Sequence, residues 1–231
     1  MKKLKSQLMM LITFIALPYY MIRSKILLKS NDSDKVGREL KRYGDDFLSI
    51  RGVNVEVIHE EGYLDLEKCV FVSNHQSHND IFILLSALKT RFRFIAKKEL
   101  FTSPIFRNFM KLSQSYPLDR DDDKASLLVL KQAVKDIKED GASVVVFPEG
   151  TRSHGPDMGP FKVGLFSMLR RAQAPIVPVY IENSYQVGVK TYRVHIGNPI
   201  DPDGLSGAEL TDKVLQEMTS IQKSLIQTLK A

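Results

Sequence analysis

Segments with a strand-like pattern alternate with segments with a helix-like pattern from residue 53 onward, and this alternation restricts the possible folds more than any other feature. The run Ser143–Phe147 (SVVVF) is rich in β-branched residues, which is typical of a strand buried on both faces of a parallel sheet. The other predicted strands are Val53–Ile58, Val70–Ser73, Phe92–Ala96, Ile176–Ile181 and Tyr192–Ile196, and the predicted helices are Asp80–Leu88, Pro104–Leu112, Ala125–Glu139, Phe161–Arg171 and Ala208–Lys230. We therefore predict an α/β domain over residues 51–231, with a mostly parallel sheet flanked by helices.

Residues 1–50 are predicted to form a separate helical segment that docks on a membrane. The uncharged run Leu8–Ile22 would be about 22 Å long as a helix, shorter than the ~30 Å hydrocarbon core of a bilayer. Residues 1–30 contain no acidic residue and account for the whole formal net charge of +6, through Lys2, Lys3, Lys5, Arg23, Lys25 and Lys29. We interpret the run as an interfacial anchor, with apolar side chains in one leaflet and basic side chains among the headgroups.

A second helix would follow, with Val36, Leu40, Tyr43, Phe47 and Ile50 at helical spacing, and would complete a helical hairpin in front of the main domain. From such a hairpin we predict a monotopic or peripheral membrane protein on the cytoplasmic face of the cell membrane. Three other interpretations of the N-terminal run stay open: a membrane span, a core helix, and a secretory signal, although no small-x-small cleavage site follows the run.

The remaining composition excludes several classes of protein. Cys69 is the single cysteine, which excludes a disulfide framework and a cysteine-based metal cluster and fits a reducing, cytosolic compartment. Once six of the 33 basic residues are assigned to the N-terminus, 27 basic and 27 acidic side chains remain, so we predict no nucleic-acid partner. The chain has no glycine-rich phosphate loop, which argues against a nucleotide enzyme, and its five histidines show no metal-ligand spacing. No metal or cofactor is predicted.

The first candidate for chemistry directly follows the predicted strand Val70–Ser73. His75 and Asp80 are five residues apart, and they could not face each other on one regular helix. If Ser77 is the N-cap of the next helix, His75 lies in the preceding loop, which can fold back so that the Asp80 carboxylate holds the imidazole. This pair would form the histidine–aspartate half of a hydrolytic triad. An ordinary polar turn is the alternative, and His78 competes with His75 as the base.

The second candidate, Phe147–Ser153, lies at the end of the SVVVF strand. Its proline, charged residue and glycine predict a rigid turn with accessible backbone N–H groups. Glu149 and Arg152 would be costly there unless they bind each other or a ligand, and arginine suits a phosphate because its planar fork donates two parallel hydrogen bonds. The alternative is a surface turn with a solvated ion pair.

The third candidate is a basic region between the other two. It spans Lys89–Lys111 and contains seven basic residues against Glu99 alone, and Leu118-Asp119-Arg120 follows it. Runs of basic residues often lie on solvated surfaces. Because this run lies between two polar loops, binding of an anionic ligand is an interpretation of at least equal weight.

Together these segments resemble the 1-acyl-glycerol-3-phosphate acyltransferases, the PlsC-type members of the glycerolipid acyltransferase superfamily. The matching motifs, in chain order, are Asn74-His75-x4-Asp80, then Ala96–Leu100 with Leu118–Arg120, then Phe147–Ser153 (FPEGTRS), then Ala174–Val179. The resemblance covers residues 50–200 and is specific because four motifs occur in the right order.

The resemblance implies transfer of an acyl chain from an acyl thioester to the 2-hydroxyl of 1-acyl-sn-glycerol 3-phosphate (lysophosphatidic acid), which makes phosphatidic acid for phospholipid synthesis. His75 would act as general base and Asp80 would orient it, with direct attack and no acyl-enzyme. The implied substrate-binding residues are Lys97, Arg120, Glu149, Gly150, Thr151 and Arg152. The implied co-substrate is acyl-CoA or acyl carrier protein, and the implied partner surface is an anionic membrane.

Three alternatives remain at this stage. The acceptor could be another lysophospholipid or glycerol 3-phosphate. A hydrolase could use Ser153 or Ser77 with a histidine, although no G-x-S-x-G motif is present. A non-catalytic peripheral lipid-binding protein would keep the basic N-terminus without requiring His75 and Asp80 together.

Overall fold

The computed structural model of the chain describes residues 18–29, 32–59, 68–104 and 106–228. These residues contain a seven-stranded sheet of order β1-β7-β6-β2-β5-β3-β4. Its strands are β1 (Asn54–His59), β2 (Val70–Ser73), β3 (Phe92–Lys97), β4 (Tyr116–Leu118), β5 (Ser143–Val146), β6 (Ile176–Ile181) and β7 (Thr191–Ile196). Strands β6, β2, β5, β3 and β4 are parallel, whereas β7 runs antiparallel to β6 and pairs in parallel with β1. The predicted mostly parallel sheet is therefore confirmed, and we call the side on which the five parallel strands end the carboxyl edge.

Helices flank this sheet. They comprise the helical residues 18–27 (α1), then α2 (Ser33–Ile50), α3 (Asn79–Ala87), α4 (Glu99–Thr102), α5 (Arg107–Leu112), α6 (Asp123–Asp140), α7 (Val163–Leu169), a 3-10 turn (Arg170–Ala172) and α8 (Gly207–Thr228). Helix α6 has a sequence signal at each end. The Asp122 carboxylate accepts the Ala125 N–H at the start of α6, and Gly141 ends that helix in the left-handed conformation with φ of 68°.

A hydrophobic core covers each face of the sheet. Phe71 of β2 and Val145 of β5 pack in the core that contains α2 and α3, while their neighbours in sequence pack in the core that contains α6, α7 and α8: Val70, Val72, Val144 and Val146. All six side chains are at most 1% exposed. Burial of alternate residues on opposite faces explains why these strands are continuously apolar.

The described N-terminal helices pack against each other and against the main domain. Tyr20 of α1 contacts the ring of Tyr43 at a centroid distance of 5.0 Å, and Arg23 forms an ion pair with Glu39. Val36 and Leu40 are buried in the same core as the α3 residues. No helix within the described ranges is long and apolar enough to cross a bilayer. Most of the predicted anchor, residues 8–17, lies outside the described residues, and the division at residue 50 stays a prediction.

The short strand β4 and the short helix α4 were not predicted from the sequence. The prolines near them explain their limits. The strand β4 contains Pro117, which has no N–H to donate and is tolerated because β4 is an edge strand. Pro104 also shortens the predicted helix over residues 104–112. It restricts Ser103 to an extended conformation with ψ of 128°, so that α4 ends before Ser103 and α5 begins only at Arg107.

Gly44 lies where α2 packs against α3, and a Cβ there would come within 2.7 Å of the Phe82 carbonyl oxygen and 2.8 Å of Leu85 Cβ. Replacing Gly44 with alanine is expected to lower the free energy of unfolding by about 1–3 kcal/mol, because the helices would have to move apart. Gly37 in the same helix is the control. Its Cβ would meet Arg91 at 3.9 Å, an ordinary contact, so alanine there should raise the free energy of unfolding by up to about 1 kcal/mol through helix propensity. Urea unfolding measures both, and equal effects would contradict the close approach.

Candidate active site

The loop between β2 and α3 brings His75 and Asp80 together at the carboxyl edge. His75 Nδ1 lies 2.7 Å from Asp80 Oδ2, as the spacing of the two residues suggested. The helix begins at Asn79, so its N-cap is His78, one residue after Ser77, and Asp80 is its second residue. Ser77 Oγ nevertheless accepts the Asn79 N–H at 3.0 Å, which holds the loop against the start of the helix.

Asp80 is fully buried and surrounded by hydrogen-bond donors. Its Oδ2 accepts the backbone N–H groups of Gln76 (2.7 Å) and Ser77 (2.9 Å), and its Oδ1 accepts the hydroxyls of Ser77 (3.3 Å) and Ser184. Donors at both oxygens stabilise a carboxylate, which can only accept hydrogen bonds. The proton of a neutral His75 is therefore on Nδ1, and Nε2 carries the free lone pair of a base.

The loop that follows β5 surrounds His75 from the other side. The Phe147 ring stacks on the imidazole at a centroid distance of 4.1 Å and an angle of 20°. Glu149 Oε1 accepts the His75 N–H at 2.7 Å, and the Ser153 N–H donates to the His75 carbonyl oxygen at 2.8 Å. His75 is thus fixed through its ring and through both of its backbone groups.

Glu149 is buried, and its contacts differ from those expected. Its second oxygen, Oε2, accepts the Gly159 N–H at 2.7 Å, and no ion pair joins it to Arg152 although both residues belong to the described part of the chain. Burial raises the pKa of Glu149, and the two backbone donors lower it in part. The alternative interpretation, a surface turn with a solvated Glu149–Arg152 ion pair, is therefore not what the structure has, because the carboxylate bonds to buried backbone N–H groups instead.

The rest of the turn provides shape and charge. Gly150 adopts φ of 70°, and a Cβ there would lie 2.7 Å from Lys162 Cε; its N–H donates to the Phe147 carbonyl oxygen at 3.1 Å and so is not an accessible donor. Thr151 is exposed, and Arg152 is half-buried. Burial and the positive charge of Arg152 lower the pKa of His78. The next residue, Ser153, bonds to the His75 carbonyl oxygen, so this part of the turn lies against the His75 loop.

Lys97 and Arg120 lie farther along the same edge. Lys97 ends β3 and pairs in register with Leu118, two residues before Arg120, and its ammonium is 3.2 Å from the Glu99 carboxylate. Neighbouring strands are spaced by about 4.8 Å, so the order β2, β5, β3, β4 spreads these groups over about 14 Å from the His75 loop. The structure therefore brings His75, Asp80 and Glu149 into contact, with Arg152 in the same turn as Glu149, and places Lys97 and Arg120 farther along the same edge, after β3 and β4.

The alternative nucleophiles have other partners. Ser77 Oγ bonds to Asp80, and Ser153 Oγ donates to the Gly155 carbonyl oxygen at 3.1 Å, so neither hydroxyl pairs with a histidine ring. Burial raises the pKa of the Cys69 thiol to about 12, which leaves little thiolate at neutral pH. Within the described ranges, no three His, Cys, Asp or Glu side chains cluster as ligands for a metal ion.

Sequence patterns missed the contribution of the loop after β6. Because β6 pairs with β2, this loop leaves the carboxyl edge beside His75, and it places Ser184 against Asp80 and Gln76. Asn74 joins the same two strands, since its side-chain amide accepts the Ile181 N–H (2.8 Å) and donates to the Ile181 carbonyl oxygen (3.0 Å). Ser184 could have been found from the sequence only if the strand order, with β6 beside β2, had been predicted.

Comparisons with known proteins agree with this arrangement. The model of the Acyltransferase family matches residues 54–182. A 1-acyl-sn-glycerol-3-phosphate acyltransferase of Saccharomyces cerevisiae is 32% identical over 78% of this chain and 61% of its own length. The chloroplastic 1-acyl-sn-glycerol-3-phosphate acyltransferase BAT2 of Brassica napus is 42% identical over 48% of this chain and 32% of its own length. The chain thus spans less than two thirds of the length of each of these two relatives.

One solved structure covers nearly the whole chain. The crystal structure of the 1-acyl-sn-glycerophosphate (LPA) acyltransferase PlsC from Thermotoga maritima superposes with a TM-score of 0.84 at 25% identity, over 97% of this chain and 98% of that one. The family match includes both loops that surround His75, since residues 54–182 contain His75, Asp80 and the turn after β5. Fold, site and similarity agree, and the chain belongs to the acyltransferase family.

Proposed function

We propose that this chain transfers an acyl group from an acyl thioester to the free 2-hydroxyl of 1-acyl-sn-glycerol 3-phosphate and thereby makes phosphatidic acid. The observation that carries the proposal is the 2.7 Å contact between His75 Nδ1 and Asp80 Oδ2 beside a row of basic residues at the carboxyl edge. The names of the similar yeast and Thermotoga maritima proteins support the choice of acceptor.

The reaction uses the pair as a base with a fixed orientation. His75 Nε2 takes the proton of the acceptor hydroxyl as its oxygen attacks the thioester carbonyl, and Asp80 stabilises the imidazolium that results. The C–S bond then breaks, and the proton passes from the imidazolium to the departing thiolate. No acyl-enzyme forms. The donor thioester is acyl-CoA or acyl carrier protein, and the protein itself supplies the acid–base groups without a metal or cofactor.

The neighbouring residues would have separate roles in binding the acceptor and in shaping the site. Arg152, whose neighbour Ser153 bonds to the His75 carbonyl oxygen, would bind the acceptor phosphate, and Lys97 and Arg120 would extend the positive field along the edge. Glu149 would act through the backbone that it holds rather than by contact with the acceptor. Gly150 and Thr151 would shape the turn that presents Arg152.

An acyl-transfer assay with the purified protein tests the proposal. The protein would be supplied with acyl-CoA or acyl carrier protein thioesters and with three acceptors: lysophosphatidic acid, lysophosphatidylcholine and glycerol 3-phosphate. We expect phosphatidic acid from the first acceptor at a rate well above the other products. Faster transfer to another acceptor would show that this acceptor, and not lysophosphatidic acid, is the preferred substrate. Absence of transfer to all three acceptors from both donors would contradict the proposal.

Replacing Arg152 with alanine is expected to raise the KM for lysophosphatidic acid by roughly 10- to 100-fold, with a smaller effect on kcat, because a hydrogen bond to a charged group is worth about 1.5–3 kcal/mol. Arg171 is the matched control. It is exposed in the 3-10 turn before β6, at the opposite edge of the sheet, so alanine there should leave KM unchanged. Steady-state kinetics with varied acceptor measure both, and an unchanged KM for the Arg152 variant would remove that residue from the phosphate site.

We also propose that α1 helps to hold the protein on an anionic membrane at the cytoplasmic face. Tyr19, Ile22 and Ile26 are 46%, 62% and 64% exposed and recur at helical spacing near Lys25 and Lys29. Replacing Ile22 and Ile26 together with aspartate is expected to reduce sedimentation with phosphatidylglycerol vesicles by at least about tenfold, because two large apolar side chains would no longer be buried.

The control for this measurement is the Ile58→Asp variant, which changes an exposed isoleucine in β1. It should sediment with the vesicles like the unaltered protein. Equal sedimentation of the double variant and the unaltered protein would contradict docking through α1.

A further inference from the structure

Ser184 is a buried serine that contacts the site without belonging to either loop around the imidazole. It lies two residues after Glu182, in the loop that follows β6, and is 1% exposed. Its hydroxyl donates to Asp80 Oδ1, and its backbone N–H donates to Gln76 Oε1 at 3.0 Å. Both partners are close to His75, because Gln76 follows it in the chain and Asp80 bonds to its ring.

We propose that Ser184 is a positioning residue for the His75–Asp80 pair. Its hydroxyl fixes Asp80 Oδ1, so that Oδ2 stays directed at His75 Nδ1. This role rests on the proposed function, since it concerns how His75 acts as the base of that reaction.

The distribution of donors around Asp80 supports this role. Oδ2 bonds to His75 Nδ1 and to two backbone N–H groups, whereas Oδ1 depends on two hydroxyls. Ser77 Oγ is 3.3 Å from Oδ1, longer than an ordinary O–H···O bond, so Ser184 is the principal donor there. The terminal torsion of an aspartate is broad, and with only the weak Ser77 contact at Oδ1 the carboxylate can turn away from the imidazole plane.

A contribution to stability alone does not explain the link between the two loops. Gln76 is 1% exposed, and its Nε2 is a buried amide nitrogen that has no hydrogen-bond partner within the described part of the chain. An unused buried donor lowers stability. The Gln76 side chain is thus held through its Oε1, which accepts the Ser184 N–H and links the loop after β2 to the loop after β6.

Removal of the Ser184 hydroxyl has a consequence for charge as well as for orientation. The charged or titratable side chains around the His75 loop include Asp80, Glu149, His78, Arg152 and His154, and Ser184 bonds to the first of these. A carboxylate that has turned away from the ring stabilises the imidazolium less. In the variant His75 would then lose its proton at lower pH than in the unaltered protein, and the acidic limb of the pH–rate profile would move in the same direction.

The Ser184→Ala variant of the full chain tests the proposal. We expect kcat to fall roughly 10- to 100-fold, as for loss of one hydrogen bond to a charged group, with KM for both substrates within about twofold. The acidic limb of the kcat profile should move to lower pH. The Ser184→Thr variant keeps a hydroxyl and should recover most of both effects.

Ser115→Ala is the matched control for loss of a buried hydroxyl. Ser115 Oγ accepts the Phe94 N–H at 3.1 Å, away from the site, so this variant should lose stability without a change in the pH profile. A profile for Ser184→Ala like that of the unaltered protein, or an equal displacement in Ser115→Ala, would overturn the proposal.

A second measurement does not depend on turnover. The pH dependence of the His75 imidazole signal, followed by NMR in the unaltered protein and in Ser184→Ala, should differ in the same direction. Identical curves would overturn the role of Ser184 whether or not the protein makes phosphatidic acid. Failure of the unaltered protein to transfer acyl groups would instead contradict the proposed function, so the two failures are distinct.

Discussion

Replacing His75 with alanine is expected to lower kcat by about 10²–10⁴-fold while the protein stays folded, because a positioned general base contributes about that much to proton transfer. Asp80 would lose the His75 ring but keep the backbone donors of Gln76 and Ser77, so the buried carboxylate would remain paired. Release of phosphatidic acid under saturating substrates measures kcat, and thermal unfolding checks the fold. Retention of more than about a tenth of the original rate would contradict the role of His75 as base.

The chain offers a matched control in a second histidine–carboxylate pair. His195 Nε2 lies 2.7 Å from Glu182 Oε1, and the ring is about as buried as that of His75. The His195→Ala variant should therefore lose stability but keep its kcat. His78→Ala distinguishes the two histidines of the loop, because Asp80 bonds to the ring of His75 and, within the described residues, not to that of His78. If His78→Ala abolished transfer and His75→Ala did not, His78 would be the base.

Much of the fold could be predicted because its strands are buried on both faces. Val144, Val145 and Val146 alternate between two cores, so apolar character alone reveals the strand β5. The same criterion cannot find β4, whose three residues include Pro117 and lie at the edge of the sheet. Strand order is also hidden in the sequence, because pairing of β2 with β5 and β6 depends on contacts between residues about 70 to 110 positions apart.

The site could be predicted where its contacts are local in sequence. The His75–Asp80 pair is such a contact, since five residues and the start of a helix are enough to suggest it. The role of Glu149 is different. A charged residue after a buried strand indicates a costly group, but the donors that satisfy it come from His75 and Gly159, and only the folded sheet brings these together.

Glu149→Ala is expected to be the most damaging substitution outside the pair. It would leave the buried N–H groups of His75 and Gly159 without their acceptor, at about 1–3 kcal/mol each, so we expect the free energy of unfolding to fall by about 2–5 kcal/mol. Release of the backbone N–H of His75 would also let the imidazole drift, and misplacement by about 1 Å can cost 10²-fold in rate. Urea unfolding and kcat measure the two effects, and a variant with normal stability would show that water replaces the carboxylate.

The Glu149→Gln variant removes the titratable group and one of its two acceptor oxygens. The lost acceptor changes stability by the same amount at every pH, so the pH dependence reports the titration alone. Burial raises the pKa of Glu149 above its ordinary value of 4.5, so the folded protein binds the proton more tightly than the unfolded chain does. The stabilisation from this proton is complete below pH 4.5 and is lost as the pH rises through the raised pKa, whereas glutamine does not titrate. The free energy of unfolding of the unaltered protein minus that of Glu149→Gln should therefore decrease from acidic to neutral pH. A difference that increased with pH would mean that the two backbone donors outweigh burial, and Glu149 would then hold His75 as a firmly ionised carboxylate.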